Sequence, residues 1–244
     1  MINADVMIKP AFLTAEWRKL AIANYLVDAK VLSKYLPYKT ELDKWNGDSY
    51  ISLVGFMFLN AKLKGWKIPF HRSFEEVNLR FYVRYKDNGT WKRGVTFIKE
   101  IVPKHALTFI ANKIYKENYE TMPMKHSWTP GADKIQIEYK WKKGEWNSFM
   151  INAAFREMPL LENSKEEFIM EHYWGYTHIG LNVCSEYEVE HPRWATYNII
   201  DYKTNIGFGK TFGADFSFLD DAVPRSVMLA EGSEIIVRSA SKLK

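Results

Sequence analysis

EEVNLRFYVRYKDNGTWKRGVTFIKEIV, residues 75–102, is patterned as two long strands folded back on a two-residue turn. Val77, Leu79, Phe81 and Val83 alternate with Glu76, Asn78, Arg80, Tyr82 and Arg84, so the two sets point to opposite faces of one strand. Asn88-Gly89 tolerates positive φ at both central positions of a type I′ turn, which predicts that residues 76–84 and 95–102 are antiparallel neighbours. The apolar face is core. The polar face meets water, the ordinary case for such a row, or lines the polar interior of a barrel. In the second arm Lys99 and Glu100 are consecutive and must face opposite ways, so at most one of them enters a given cavity. The simple expectation there is a strand edge or strand end carrying solvated charges.

The same devices recur along the chain. Asn46-Gly47 sits between extended runs, and Ile135, Ile137, Tyr139 and Trp141 alternate with polar residues before KKGE turns the chain into WNSFMINAAF. EYEVE, WATYNIIDY and SEIIVRS are further extended runs. Three helices interrupt them, all expected to be peripheral. Asp28 caps one whose stripe is Val31, Leu32, Tyr35 and Leu36 and which Pro37 ends; Ser164 and Glu167 are spaced as a capping box for another. The third follows Pro103, placed at the first helical position, with Leu107, Ile110, Ala111, Ile114 and Tyr115 as its stripe. GFGKTFG, residues 207–213, lacks the spacing of a phosphate loop and is expected to be a turn. The fold class is therefore α+β and β-rich, a large, mostly antiparallel sheet or closed barrel with a few helices. With no linker or repeat, residues 1–244 form one domain.

Composition narrows the function classes. The apolar content of 47% supports a sizeable core, and a net charge of +5 spread along the chain makes no basic stripe for nucleic acid. The longest apolar stretch, YISLVGFMFLNA, is too short to span a membrane as a helix, and MINADVMIKP lacks the pattern of a signal peptide. A cytoplasmic location follows, and the single Cys184 fits a reducing compartment. The six histidines form no metal-ligand pattern, so no metal or other cofactor is expected. Lys104 stands at a helix start, where the positive end of the macrodipole disfavours its ammonium; partial burial would favour the neutral amine that attacks carbonyls. An exposed lysine is the commoner outcome for such a position.

Four segments, SFEEVNLRFYV, RGVTFIKEIVPKHA, EHPRWATY and PRSVMLAEGSEIIV, together resemble the YqjF-like family of uncharacterised conserved bacterial proteins, over nearly the whole chain. That resemblance implies the acetoacetate-decarboxylase-like fold, a closed barrel with a central cavity and flanking helices. RKLAIANYLVDAKVLSKYLP, residues 18–37, is similar to the decarboxylase's arginine-led strand, helix and terminating proline, which implies that Arg18 is an active-site arginine. KEIVPKHA is similar to the decarboxylase's lysine segment, which implies Lys104 as the imine-forming lysine, with His105 in place of a second lysine. A histidine is only partly charged near neutral pH and would depress Lys104 less. Glu75 and Glu76 lie close to one of that enzyme's acidic positions. The leading expectation is a barrel that binds a small organic acid or carbonyl compound through Arg18, Glu76, Arg80 and Tyr82. Its alternatives are a cofactor-free lyase that uses Lys104 and His105, and a non-catalytic scaffold with a filled interior. The resemblance also allows a homo-oligomer.

Overall fold

The computed structural model describes residues 9–67 and 72–244, so the opening residues of MINADVMIKP lie outside the described set. In chain order the elements are β1 (Ala11–Leu26), α1 (Ala29–Ser33), β2 (Glu41–Leu42), β3 (Tyr50–Leu63), β4 (Trp66–Lys67), β5 (Phe74–Asp87), β6 (Thr90–Val102) and α2 (His105–Ile110). They continue with β7 (Tyr119–Thr121), β8 (Met124–Pro130), β9 (Lys134–Lys143), β10 (Glu145–Met158), α3 (Lys165–Met170) and β11 (Trp174–Gly180). The last are β12 (Val183–Glu190), β13 (Thr196–Asn205), α4 (Phe208–Phe212), β14 (Ser226–Arg238) and β15 (Ser241–Leu243). Among the described residues no helix is long and apolar enough to cross a membrane.

The expected hairpin is present. β5 and β6 pair antiparallel from Val77↔Ile101 to Asp87↔Thr90, joined at Asn88 (φ 46°) and Gly89 (φ 89°). Pairing then runs β6–β5–β3–β1–β14 on one side and β6–β11–β12 on the other, and β12 returns to β14, so the neighbours form a ring. The one parallel seam in it is β6–β11 at Gly94 and Gly175. There a Cβ on Gly94 would meet the Trp174 carbonyl oxygen at 2.4 Å, so only glycine lets the two backbones approach. From β14 the sheet continues through β13, β10, β9 and β8.

Strand alternation divides the apolar residues into two clusters. Val77, Leu79, Phe81 and Val83 of β5 pack with Ile137, Tyr139 and Trp141 of β9 and Phe149 of β10, outside the ring. Val54, Phe56 and Phe58 of β3, Leu20 and Ile22 of β1, and Phe74 and Tyr82 of β5 form the second cluster, inside it. The polar row of β5 is thus interior: Glu76 and Asn78 are buried, and only Arg84 reaches the rim, paired with Glu41 at 2.6 Å. The ordinary expectation of a solvated row fails because β9 and β10 cover the apolar face, leaving the polar face to the inside.

The helices also depart from expectation. α3 is not peripheral: Phe168, Ile169 and Met170 are buried, and the Phe168 ring lies 5.6 Å from that of Tyr82 inside the ring. Its N-cap is formed as read, with Ser164 Oγ accepting from the Glu167 N–H at 3.0 Å, while the Glu167 carboxylate accepts from the Asn163 N–H at 2.6 Å. Lys104, not Pro103, immediately precedes α2 as its N-cap, which moves the proline one residue outside the helix. The chain then widens into a π-helical turn over Ala111–Tyr115. The side chains of Ile110, Ile114 and Tyr115 lie outside the described set. GFGKTFG is not a turn but α4, whose Phe208 and Phe212 are buried; two aromatics four residues apart share a helix face.

Candidate functional site

Inside the ring lies a cavity of about 210 Å³. Its wall carries the aromatic residues Trp17, Phe56, Phe58, Phe74 and Phe97 and, among them, Glu76, Asn78, Arg80, Glu100, Glu117 and Tyr119. Phe56 pairs directly with Glu76 and Phe97 with Arg80. β5 delivers the first three polar groups through the two-residue strand period. β6 delivers Glu100 through a bulge: Leu79 pairs with Lys99 and Arg80 with Phe97, so Ile98 is the extra residue and the alternation shifts by one. Lys99 then lies outside, bonded to Glu120 and to the Thr211 carbonyl, both at 2.7 Å, while Glu100 turns inward. The charges in FIKEIV are therefore not a solvated strand edge. One is an outer ion pair and the other is 3% exposed.

The carboxyl groups are not equivalent. Glu76 accepts from Asn78 Nδ2 at 2.9 Å and from the Tyr119 hydroxyl at 3.4 Å. Burial still raises its pKa, to about 7, against those two donors and the Arg80 charge. Glu117 accepts from Thr177 Oγ1 at 2.6 Å, and burial likewise lifts it to about 7. Glu100 is raised well above the ordinary carboxyl value, first by burial and then by the charges of Glu117 and Glu76. The Tyr119 phenol opposes that rise, so it favours the ionised form of both Glu76 and Glu100. Around neutrality the cluster holds protons that ordinary glutamates would have lost.

Among the described residues, five buried polar atoms of the cavity lining have no hydrogen-bond partner, three of them on neighbouring positions of β5 and β6: Asn78 Oδ1, Arg80 Nε and Glu100 Oε2; the others are Trp17 Nε1 and His172 Nδ1. Asn78 and Glu100 are directly paired residues across β5 and β6, and Arg80 is two residues on along β5. No carboxylate pairs with Arg80 among the described residues. His172 closes the wall near Tyr82, its ring 4.8 Å from the phenol. Burial lowers its pKa to about 4, although Asp43 Oδ2 stands 3.2 Å from its Nε2. It is a neutral wall residue at pH 7.

The other residues singled out from the sequence are dispersed. Tyr82 is 1% exposed and sits in a packed network with Ser52 (2.7 Å), which in turn donates to Asn24 Oδ1 (2.6 Å). Arg18 forks onto Glu16 Oε2 at 2.7 and 2.9 Å and lines a separate outer recess with Glu190, His191 and Ser233. Lys104 and His105 do not line the cavity, and no lysine does among the described residues. The Lys104 charge acts instead on Glu75, which accepts from His126 Nδ1 at 2.7 Å and, next to Glu76 on the strand, faces the other way. Glu117, Tyr119 and His172 are not legible as site residues, because their short or irregular segments carry no period that assigns a face. Tyr187 lies in the alternating run EYEVE of β12, where the sequence alone does not say which face is inside. Among the described residues no three His, Cys, Asp or Glu side chains group to hold a metal ion.

The chain belongs to the family DUF2071, described as an uncharacterized conserved protein, whose model matches residues 14–234. It is 28% identical over 187 residues to the uncharacterized protein YqjF of Bacillus subtilis (strain 168), covering 75% of this chain and 74% of that one. Its fold is that of acetoacetate-decarboxylase-like proteins. The acetoacetate decarboxylase of Legionella pneumophila superimposes with a TM-score of 0.65 at 13% identity, covering 100% of this chain and 92% of that one. The enduracididine biosynthesis enzyme MppR complexed with pyruvate gives 0.64 at 12%, covering 99% and 94%. An acetoacetate decarboxylase-like enzyme from Sphingomonas wittichii RW1 gives 0.63 at 9%, covering 100% and 99%.

Proposed function

We propose that the strand ring is a closed barrel whose interior binds a small organic acid or carbonyl compound with an apolar body, anchored by Arg80. The observation that carries this reading is the buried, unpartnered Arg80 Nε beside unpartnered Asn78 Oδ1 and Glu100 Oε2, on residues that line a chamber rich in aromatic rings. A guanidinium suits a carboxylate, and unpartnered buried polar atoms are costly unless a ligand meets them. The aromatic rings supply the apolar contact. One of the structurally similar enzymes was solved with pyruvate, a small acid of this class. A filled scaffold is disfavoured by the cavity itself. A lyase acting through Lys104 is disfavoured because the cavity wall carries no lysine among the described residues.

Trp17 and Trp174 line the cavity and report its occupancy by fluorescence. Titrating a series of straight-chain carboxylic acids should give saturable quenching, with affinity rising about fourfold per added methylene, from about 0.8 kcal/mol per buried CH2, until the chamber is full. Absence of saturable quenching, or affinity independent of chain length, would reject the reading.

A further inference from the structure

We propose that Glu76 and Glu100 together exchange the α-proton of a 2-oxo acid through its enol, with Arg80 holding the carboxylate; this rests on the binding reading above. The ligand class follows from the donor set. A guanidinium for a carboxylate stands two residues from Asn78, and Asn78 faces Glu100 across the strand pair, so a carbonyl next to the carboxylate falls among the carboxyl groups.

The two glutamates have environments that separate their roles. Glu76 receives donors from Asn78 and Tyr119 and feels the Arg80 charge, all of which favour its carboxylate. Glu100 lines the cavity, and burial with the charges of Glu117 and Glu76 favours its protonated carboxyl against the Tyr119 phenol, while its Oε2 has no hydrogen-bond partner. Paired carboxyls pushed apart in this way are the acid and base of proton transfer. In the forward step Glu76 takes the proton from the carbon beside the carbonyl. The C–H electron pair becomes the C=C bond, the carbonyl π pair moves to oxygen, and that oxygen takes the Glu100 proton. Glu76 ends protonated and Glu100 ionised. Reversal after exchange with solvent restores the ketone with a new hydrogen on carbon. No imine, metal or oxidant enters the balance.

The test uses 4-methyl-2-oxopentanoate in D2O near neutrality, with loss of its C3 hydrogens followed by proton NMR and binding followed in the same samples by tryptophan fluorescence. The full-length protein should speed exchange at least about tenfold over buffer, toward the hundredfold or more typical of positioned acid–base pairs. Glu76→Gln and Glu100→Gln should each remove the acceleration while the ligand still binds, and Lys104→Met should keep it. Bound ligand without accelerated exchange overturns this inference and leaves the binding reading intact; no binding overturns both. Exchange that disappears in Lys104→Met, with a borohydride-trapped adduct on that lysine, overturns the proton-transfer route in favour of an imine.

Discussion

Replacing Arg80 with methionine is expected to weaken binding of a small carboxylic acid about 10- to 100-fold, the loss of about 1.5–3 kcal/mol that accompanies a charge-assisted hydrogen bond. Stability should change by only about 1 kcal/mol or less, because no carboxylate among the described residues depends on Arg80 for an ion pair. Arg18→Met is the matched control. Arg18 is already engaged by Glu16 at 2.7 Å and lines a different recess, so its loss should leave binding unchanged. Calorimetric or fluorescence titration of the two variants measures both effects. The reverse pattern, with Arg18→Met defective and Arg80→Met normal, would move the ligand to the outer recess.

Glu100→Gln should stabilise the protein at pH 8 by about 2 kcal/mol or more, the scale on which a buried charge without a partner destabilises a fold, and change little at pH 4.5. Burial and the neighbouring glutamates raise the folded-state pKa, so the folded protein holds a proton that the unfolded chain releases above its ordinary carboxyl value of 4.5. Stability is therefore lost as pH climbs from about 4.5 through the raised value, and a neutral amide removes that loss. His172 acts in the opposite direction. Its folded pKa near 4 lies below the unfolded 6.5, so it costs stability as pH falls between those values, in parent and variant alike. Denaturant melts of both proteins from pH 4.5 to 8 separate the two. Equal stability at every pH would mean that the Glu100 carboxyl is not destabilised by its surroundings.

Much of the fold is legible in the local chemistry of the chain. The alternation of residues 76–84 and the Asn88-Gly89 turn specify the β5–β6 hairpin outright, and Asp28 and Ser164 mark two helix starts that form as read. What alternation cannot say is which face of β5 is inside, because that depends on β9 and β10 covering Val77, Leu79, Phe81 and Val83 from more than 50 residues away. The site shows the same division. Glu76 and Arg80 are visible as a row, whereas the inward turn of Glu100 depends on one extra residue at Ile98, which leaves no mark in the pattern FIKEIV. The resemblance implies Arg18 as an active-site arginine, yet Glu16, two residues earlier on the same strand, takes its guanidinium. Lys104 does stand at a helix start, but its charge acts on Glu75, and the segment reaches the chamber through Leu107 and Ala111 instead.

Intermolecular NOEs to bound 4-methyl-2-oxopentanoate decide whether the ligand sits inside the ring. Cross-peaks are expected from its methyl groups to the rings of Trp17, Phe56 and Phe58, which line the chamber. Cross-peaks instead to His191 and Ile236, which line the recess beside Arg18, would place the ligand outside the ring and refute binding in the chamber.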